Sequence, residues 1–387
     1  MSLWIYRLAV ALLVAQALAG SQSWEAVVRL QEPSSTETIP LDAAGYAEKG
    51  HPSHEGHIKR FIGMKPSDGL TNSKLWHDKT ISYCFETKTA RDKLIGHFVE
   101  ATHKWREAGL HRDVYKYVEA AKPGRDCSMN SQRDRLLVIR YDAEKLLTTL
   151  GMRPPDEAAG LEGPTMILSD QDNLGTLDVT ANVAHEIGHA WGLVHEHQNK
   201  YFWTSGLGQG GPKKPPFGDD SFYCNNLKDY QKAFERVSKS HGEVEAARLC
   251  MSQAAADRYG FSGAEWLPML RDNFVYSDKN GLGLSYGDVD WASIMIYPSG
   301  AGGEGSAGPA SPGQPIDAND HRKPVLLRRD GKKFRGNFDP SEEDIRGLRN
   351  MYEDRGFPHG EPLLPSDKRS KHFDKIMGIF KKDKCAE

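Results

Sequence analysis

The chain has 387 residues, 38% of them hydrophobic and 27% charged, with a formal net charge of −3. That length holds one large domain or two of ordinary size, with enough apolar material for a real core. The near-balanced charge argues against a nucleic-acid partner, which would ask for a marked basic excess.

At the N-terminus Arg7 precedes an apolar run, 8–18, broken only by Gln16, and Ala17-Leu18-Ala19 offers a small-x-small cleavage pattern. The run falls short of the ~18 or more apolar residues of a membrane span, so residues 1–19 read as a signal peptide. No other stretch comes near that length, and a secreted, soluble monomer without a transmembrane segment is expected. Five cysteines suit an oxidising compartment. Four of them permit three pairings. Proximity in sequence favours Cys84 with Cys127 and Cys224 with Cys250, leaving Cys385 over.

Residues 20–60 are polar and show little periodicity, as a propeptide would. They end in Lys59-Arg60, a dibasic pair of the kind that processing proteases cut. His51, His54 and His57 recur every three residues just before it, and a solvated stretch is the ordinary explanation.

Beyond them, the alternation Ile81-Ser82-Tyr83-Cys84-Phe85 predicts a strand within 76–86. Leu94, Phe98, Ala101 and Trp105 give residues 87–108 the spacing of an amphipathic helix. Further strands are expected at 114–118, 136–141 and 165–168. Strand, helix, then three strands and another helix describe an α+β lobe with the second helix beneath its sheet.

That second helix, which either Asp178 or Thr180 is able to cap, carries His185-Glu186-Ile187-Gly188-His189. Residues four apart share a helix face, so His185 and His189 are placed to grip one zinc ion. Glu186, beside the metal, is placed to accept the proton of a water there. Val179, Val183 and Ile187 fall on another face and read as packing. Gly192 lets the chain turn, with positive φ, so that His195 returns as a third ligand. A fourth position left open marks a catalytic zinc rather than a structural one.

Residues 199–289 make a long connection with a Gly/Pro-rich part, 206–218, and a helix-like part, 226–249, between Cys224 and Cys250. An insertion beside the cleft, shaping substrate access, is expected there. The stretch Ser293-Ile294-Met295-Ile296-Tyr297 follows, then a loop at 299–313 rich in Gly, Ala, Ser and Pro and expected to be mobile. Ser341 is placed to cap a helix with acidic residues in its first turn and Ile345, Leu348 and Tyr352 on its apolar face. In the basic tail, 361–387, Phe373, Ile376, Met377 and Phe380 follow a helical spacing among lysines. Such a helix is able to touch an anionic membrane weakly, although a docked or disordered tail is the commoner outcome.

The pattern His-Glu-x-x-His-x-x-Gly-x-x-His over 185–195, together with Met295 in Ser293-Ile294-Met295-Ile296-Tyr297, resembles the metzincin clan of zinc endopeptidases. Glu196 after the third histidine is similar to the astacin family, and Tyr297 two residues after the methionine to astacins and serralysins alike. The resemblance implies a metzincin-like α+β zincin fold over 61–360. Its N-terminal lobe would have a twisted mixed sheet and two helices, and its C-terminal lobe a methionine turn and a terminal helix. It also implies one catalytic Zn2+ on His185, His189 and His195, Glu186 as general base, and Tyr297 as a further ligand that swings to stabilise the transition state. Met295 would floor the site, with Gly192 and Glu196 as structural support. The substrate would be a protein or peptide, extended along the strand at 165–168 as an edge. A catalytically silent zinc-containing binding protein is the rival from another class. A serralysin-like endopeptidase is the rival within the class, but the glycine-rich calcium repeats that usually come with it are absent.

The chain departs from the astacin pattern at several points. Ile296 stands where histidine is usual, no cysteine directly follows Tyr352, and Gln198-Asn199-Lys200 replaces a charged continuation. Phe61-Ile62-Gly63-Met64 resembles the propeptide Phe-x-Gly-Asp, yet a methionine cannot hold zinc as that aspartate does.

Overall fold

The computed structural model describes residues 62–64, 74–155, 162–204, 206–208, 215–270, 274–276, 288–308, 314–315 and 317–353. The expected signal peptide, propeptide and basic tail lie outside them. The described residues form a mixed α+β structure with seven α-helices and a five-stranded, mostly parallel sheet. None of their helices is long and apolar enough to cross a membrane.

The sheet has the order β3-β2-β4-β6-β5. Its members are β2 (Thr80–Phe85), β3 (Lys116–Glu119), β4 (Leu137–Tyr141), β5 (Leu147–Thr148) and β6 (Thr165–Leu168). All neighbours run parallel except β5, which is antiparallel to β6. The expectation that the strand at 165–168 forms an edge is corrected by this order. Leu147 pairs with Ile167 and Thr148 with Met166, so β6 is covered and β5 is the edge. Two residues are too few to show a period of two, which is why β5 left no trace in the sequence. The third strand also begins two residues later than expected. A turn closed by Val114 N–H and Tyr115 N–H on the His111 carbonyl draws the Tyr115 ring into the core, against Trp191 and Tyr352.

Helix α1 (Lys88–Glu107) starts at Thr87, whose hydroxyl accepts from Ala90 N–H at 3.0 Å. Leu94, Phe98, Ala101 and Trp105 are buried as their spacing predicts. The Trp105 indole donates to the Ala184 carbonyl at 2.9 Å and ties α1 to helix α3 (Val179–Trp191). Between these helices lies the four-residue α2 (Arg125–Ser128). Its Cys127 is bonded to Cys84 of β2.

The described residues of the connection after His195 are built into regular elements. Helices α4 (Tyr230–His241) and α5 (Glu243–Ala247) break at Gly242, and the Cys224–Cys250 disulfide brackets them. Helix α6 (Gln253–Arg258) leads into a turn at Ser262–Glu265. The loop after Tyr297 is likewise fixed over its first part. Ala301 N–H, Gly303 N–H and Glu304 N–H donate to Pro298, Gly300 and Asn226, and Ser299 accepts from Val325 N–H. Backbone bonding of that density replaces the mobility expected from composition. Helix α7 (Glu342–Glu353) closes the described chain, with Ser341 Oγ accepting from Asp344 N–H at 3.0 Å.

Two further strands, like β5, have no counterpart among the expected elements. β1 (Ile62–Met64) pairs antiparallel with β7 (Phe274–Tyr276) and also bonds to the turn after α3. Met64 N–H donates to the Gly192 carbonyl at 2.9 Å, and Val194 N–H to the Ile62 carbonyl at 3.0 Å. Ile62 and Met64 are fully buried. The segment that resembles a propeptide motif is thus an integral support of the motif turn.

Candidate metal centre

Asp178 caps α3 by accepting from Ala181 N–H at 2.7 Å. One turn separates His185 from His189 on this helix, and both are buried. The helix stops at Gly192, which has φ 104° and ψ 9°. That left-handed conformation is costly for any residue with a side chain. A Cβ there would also lie 2.8 Å from Met64 Cγ and Sδ. The turn carries His195 back to the other two.

The three rings converge through one atom each. His189 Nε2 is 3.1 Å from His185 Nε2 and 2.9 Å from His195 Nε2. Their outer nitrogens point at oxygens: His185 Nδ1 at the Ile294 carbonyl (2.7 Å), His189 Nδ1 at the Leu193 carbonyl (2.9 Å), and His195 Nδ1 at Gln198 Oε1 (2.9 Å). A carbonyl oxygen only accepts, so each Nδ1 holds the proton and each Nε2 presents a lone pair inward. Three lone pairs this close repel one another unless a cation stands among them. Ligands about 2.0–2.1 Å from a tetrahedral centre stand about 3.3 Å apart, close to what is found. Three neutral imidazoles suit zinc. Burial works the same way, pushing His189 down to about 3 and His185 and His195 below their ordinary value, so the rings stay neutral.

Glu186 neighbours His185 on α3 and is fully buried. Met295 packs against α3 at Gly188. A Cβ on Gly188, between the two helical histidines, would sit 2.4 Å from Met295 Sδ, so only glycine admits the sulfur this close. The turn carrying Met295 is held by Asp344, at the start of α7. Its carboxylate accepts from Ser293 Oγ (2.7 Å), Ile294 N–H (2.9 Å) and Ser341 N–H (2.9 Å). Burial raises this carboxyl to about 6. Replacing Asp344 with Ala strands these donors and should lower stability by about 2–3 kcal/mol in urea denaturation.

The Tyr297 ring stands 4.1 Å, centroid to centroid, from His195 and 5.6 Å from His185. His197 and Trp266 box it in at 4.8 and 5.1 Å. Glu196 is buried apart from the ligand cluster and accepts from Asp290 N–H at 3.2 Å. Burial, and then the charge of Asp290, push its carboxyl well above the usual range. The structure therefore gathers His185, His189, His195, Tyr297 and Met295 at one point, reached through Gly192, with Glu196 packed behind.

Among the described residues, His185, His189 and His195 are the cluster able to hold a metal ion. No family model and no curated protein sequence matches the chain. Among solved structures it is similar to high choriolytic enzyme 1, a hatching-enzyme zinc-protease from the medaka fish Oryzias latipes. The identity is 14%, the TM-score 0.38, and 76% of this chain and 100% of that one are covered. It is also similar to myroilysin, at 15% identity and a TM-score of 0.32, with 75% of this chain and 89% of that one covered. Likeness at this level leaves the functional argument to the histidines themselves.

Three site residues escaped the sequence reading. Gly188 lies inside the motif, and its closeness to a methionine turn is the one clue that would have found it. Gln198 follows His195 by three residues, a spacing that no motif marks, and Glu265 is joined to the centre only by the fold.

Proposed function

We propose that the chain is a secreted, astacin-like zinc endopeptidase that hydrolyses internal peptide bonds of proteins, acting as a monomer with one zinc ion. Its main support is the convergence of three Nε2 atoms at 2.9 and 3.1 Å, with Glu186 on the same helix and Tyr297 against the third ring. Zinc, when bound, polarises the scissile carbonyl and lowers the pKa of water in the site towards ~7. Glu186 takes the proton of the attacking water and returns it to the leaving amine. The Tyr297 hydroxyl donates to the oxyanion as charge builds on it, a contribution of about 2.7–4 kcal/mol. Met295, seated against Gly188, fixes the floor on which the rings rest. The free edge of β5 takes the extended substrate by strand addition.

Residues 1–19 act as a signal peptide and 20–60 as a propeptide cut after Lys59-Arg60. The domain then spans 61–360, with its insertion near 199–289, and keeps β1. Two disulfides fit an oxidising compartment.

Each ligand is 3% exposed or less, which favours a second reading: a silent binding protein whose zinc only holds the fold. Activity of the processed protein separates the two. An unfolded protein substrate should be cleaved at internal bonds, and a zinc chelator should stop the cleavage. Cleavage unaffected by the chelator, or none after processing at Arg60, contradicts the endopeptidase.

A further inference from the structure

In the connection between His195 and Met295, segment 262–269 packs behind His195. Gln198 Oε1 meets His195 Nδ1 at 2.9 Å. The other end of the same amide, Gln198 Nε2, donates to the Ala264 carbonyl at 2.9 Å and the Leu267 carbonyl at 3.1 Å. Two carbonyls accept only from an NH2 group, so they fix which way the amide faces. A flipped amide would set oxygen against two oxygens and nitrogen against the His195 N–H. The backbone closes the same joint, with Met269 N–H donating to the Gln198 carbonyl at 3.0 Å. His197 Nε2 donates to the Glu265 carbonyl at 2.8 Å while its ring stacks on His195. The Glu265 carboxylate stands 3.6 Å from His195 Nδ1. All of these groups are buried.

We infer that Gln198 is the positioning residue of the third ligand, and that the 262–269 segment is a built part of the metal centre because it orients that amide. The chain of contacts runs from two carbonyls through one amide to the proton on Nδ1, and so to the lone pair on Nε2. Oxygens behind a ligating imidazole of this kind typically set metal affinity by about 10–100-fold. This inference rests on zinc occupying the three-histidine centre as proposed above.

The test is zinc affinity of the full chain, measured by competition with a chromophoric chelator, which does not depend on turnover. Gln198→Met keeps the volume and removes both ends of the amide. It should bind zinc about 10–100-fold more weakly than the parent. A loss of less than about 10-fold overturns the inference. A parent chain that binds no zinc instead sinks the endopeptidase reading, so the two failures are distinct. Should the variant not fold, the parent loaded with cobalt(II) decides, through the shifted NMR signals of its ligand N–H protons. The His195 Nδ1 proton should exchange with water as slowly as those of His185 and His189, and exchange as fast as that of free imidazole overturns the inference.

Discussion

Glu186→Gln is expected to abolish peptide-bond cleavage while the zinc stays bound. The amide has the shape of the carboxylate but cannot accept a proton from water at neutral pH. Loss of a positioned general base typically costs on the order of 10²–10⁴ in rate. His185, His189 and His195 meet one another through Nε2 and are oriented by Ile294, Leu193 and Gln198, so the substitution leaves the three nitrogens and their orienting oxygens in place. Zinc content and melting temperature should therefore match the parent. Turnover within tenfold of the parent would remove Glu186 from the chemistry.

The second large effect concerns the metal-free protein in acid. Burial, then the charge of His185, holds the His189 imidazole down at about 3, and burial holds His197 at about 3. In the unfolded chain both titrate near 6.5. Between these values the unfolded state binds protons that the folded state refuses, so stability rises with pH across the interval. Their contribution is complete above about pH 6.5 and drains away as the pH falls towards 3. Zinc bound only to the folded state adds about 2.7 kcal/mol when its free concentration is 100 times the dissociation constant. Protons compete for the same nitrogens, so the loaded and metal-free proteins should differ most at neutral pH and converge in acid. Urea denaturation across that range, with and without zinc, checks this. A metal-free protein equally stable at pH 4 and pH 7 contradicts it.

How much of this was legible in the sequence follows from the range of the forces involved. The helix bearing His185 and His189 is fixed by neighbours in the chain: an Asp178 cap, a buried Val183–Ile187 face and a Gly192 stop. The same holds for α1 with its Thr87 cap, and for β4 and β6, whose bounds came within a residue of expectation. Both disulfides join the cysteines that proximity favoured. Elements defined by pairing alone were hidden. β1 is three residues long and is a strand only because β7 and the turn at Gly192–Val194 bond to it. β5, the sheet edge beside β6, is two residues. In the site, motif spacing reached all three histidines of the cluster. It missed the partners of Gln198, 66 and 69 residues away, because nothing local marks a backbone carbonyl as an acceptor for a particular amide.

X-ray absorption at the zinc edge of the purified Glu186→Gln protein, which cannot digest itself, tests the three-imidazole centre most directly. One zinc per chain is predicted, with nitrogen and oxygen neighbours at about 2.0–2.1 Å and outer-shell scattering from three imidazole rings. A sulfur shell at about 2.3 Å, or a folded chain that retains no zinc, would contradict it.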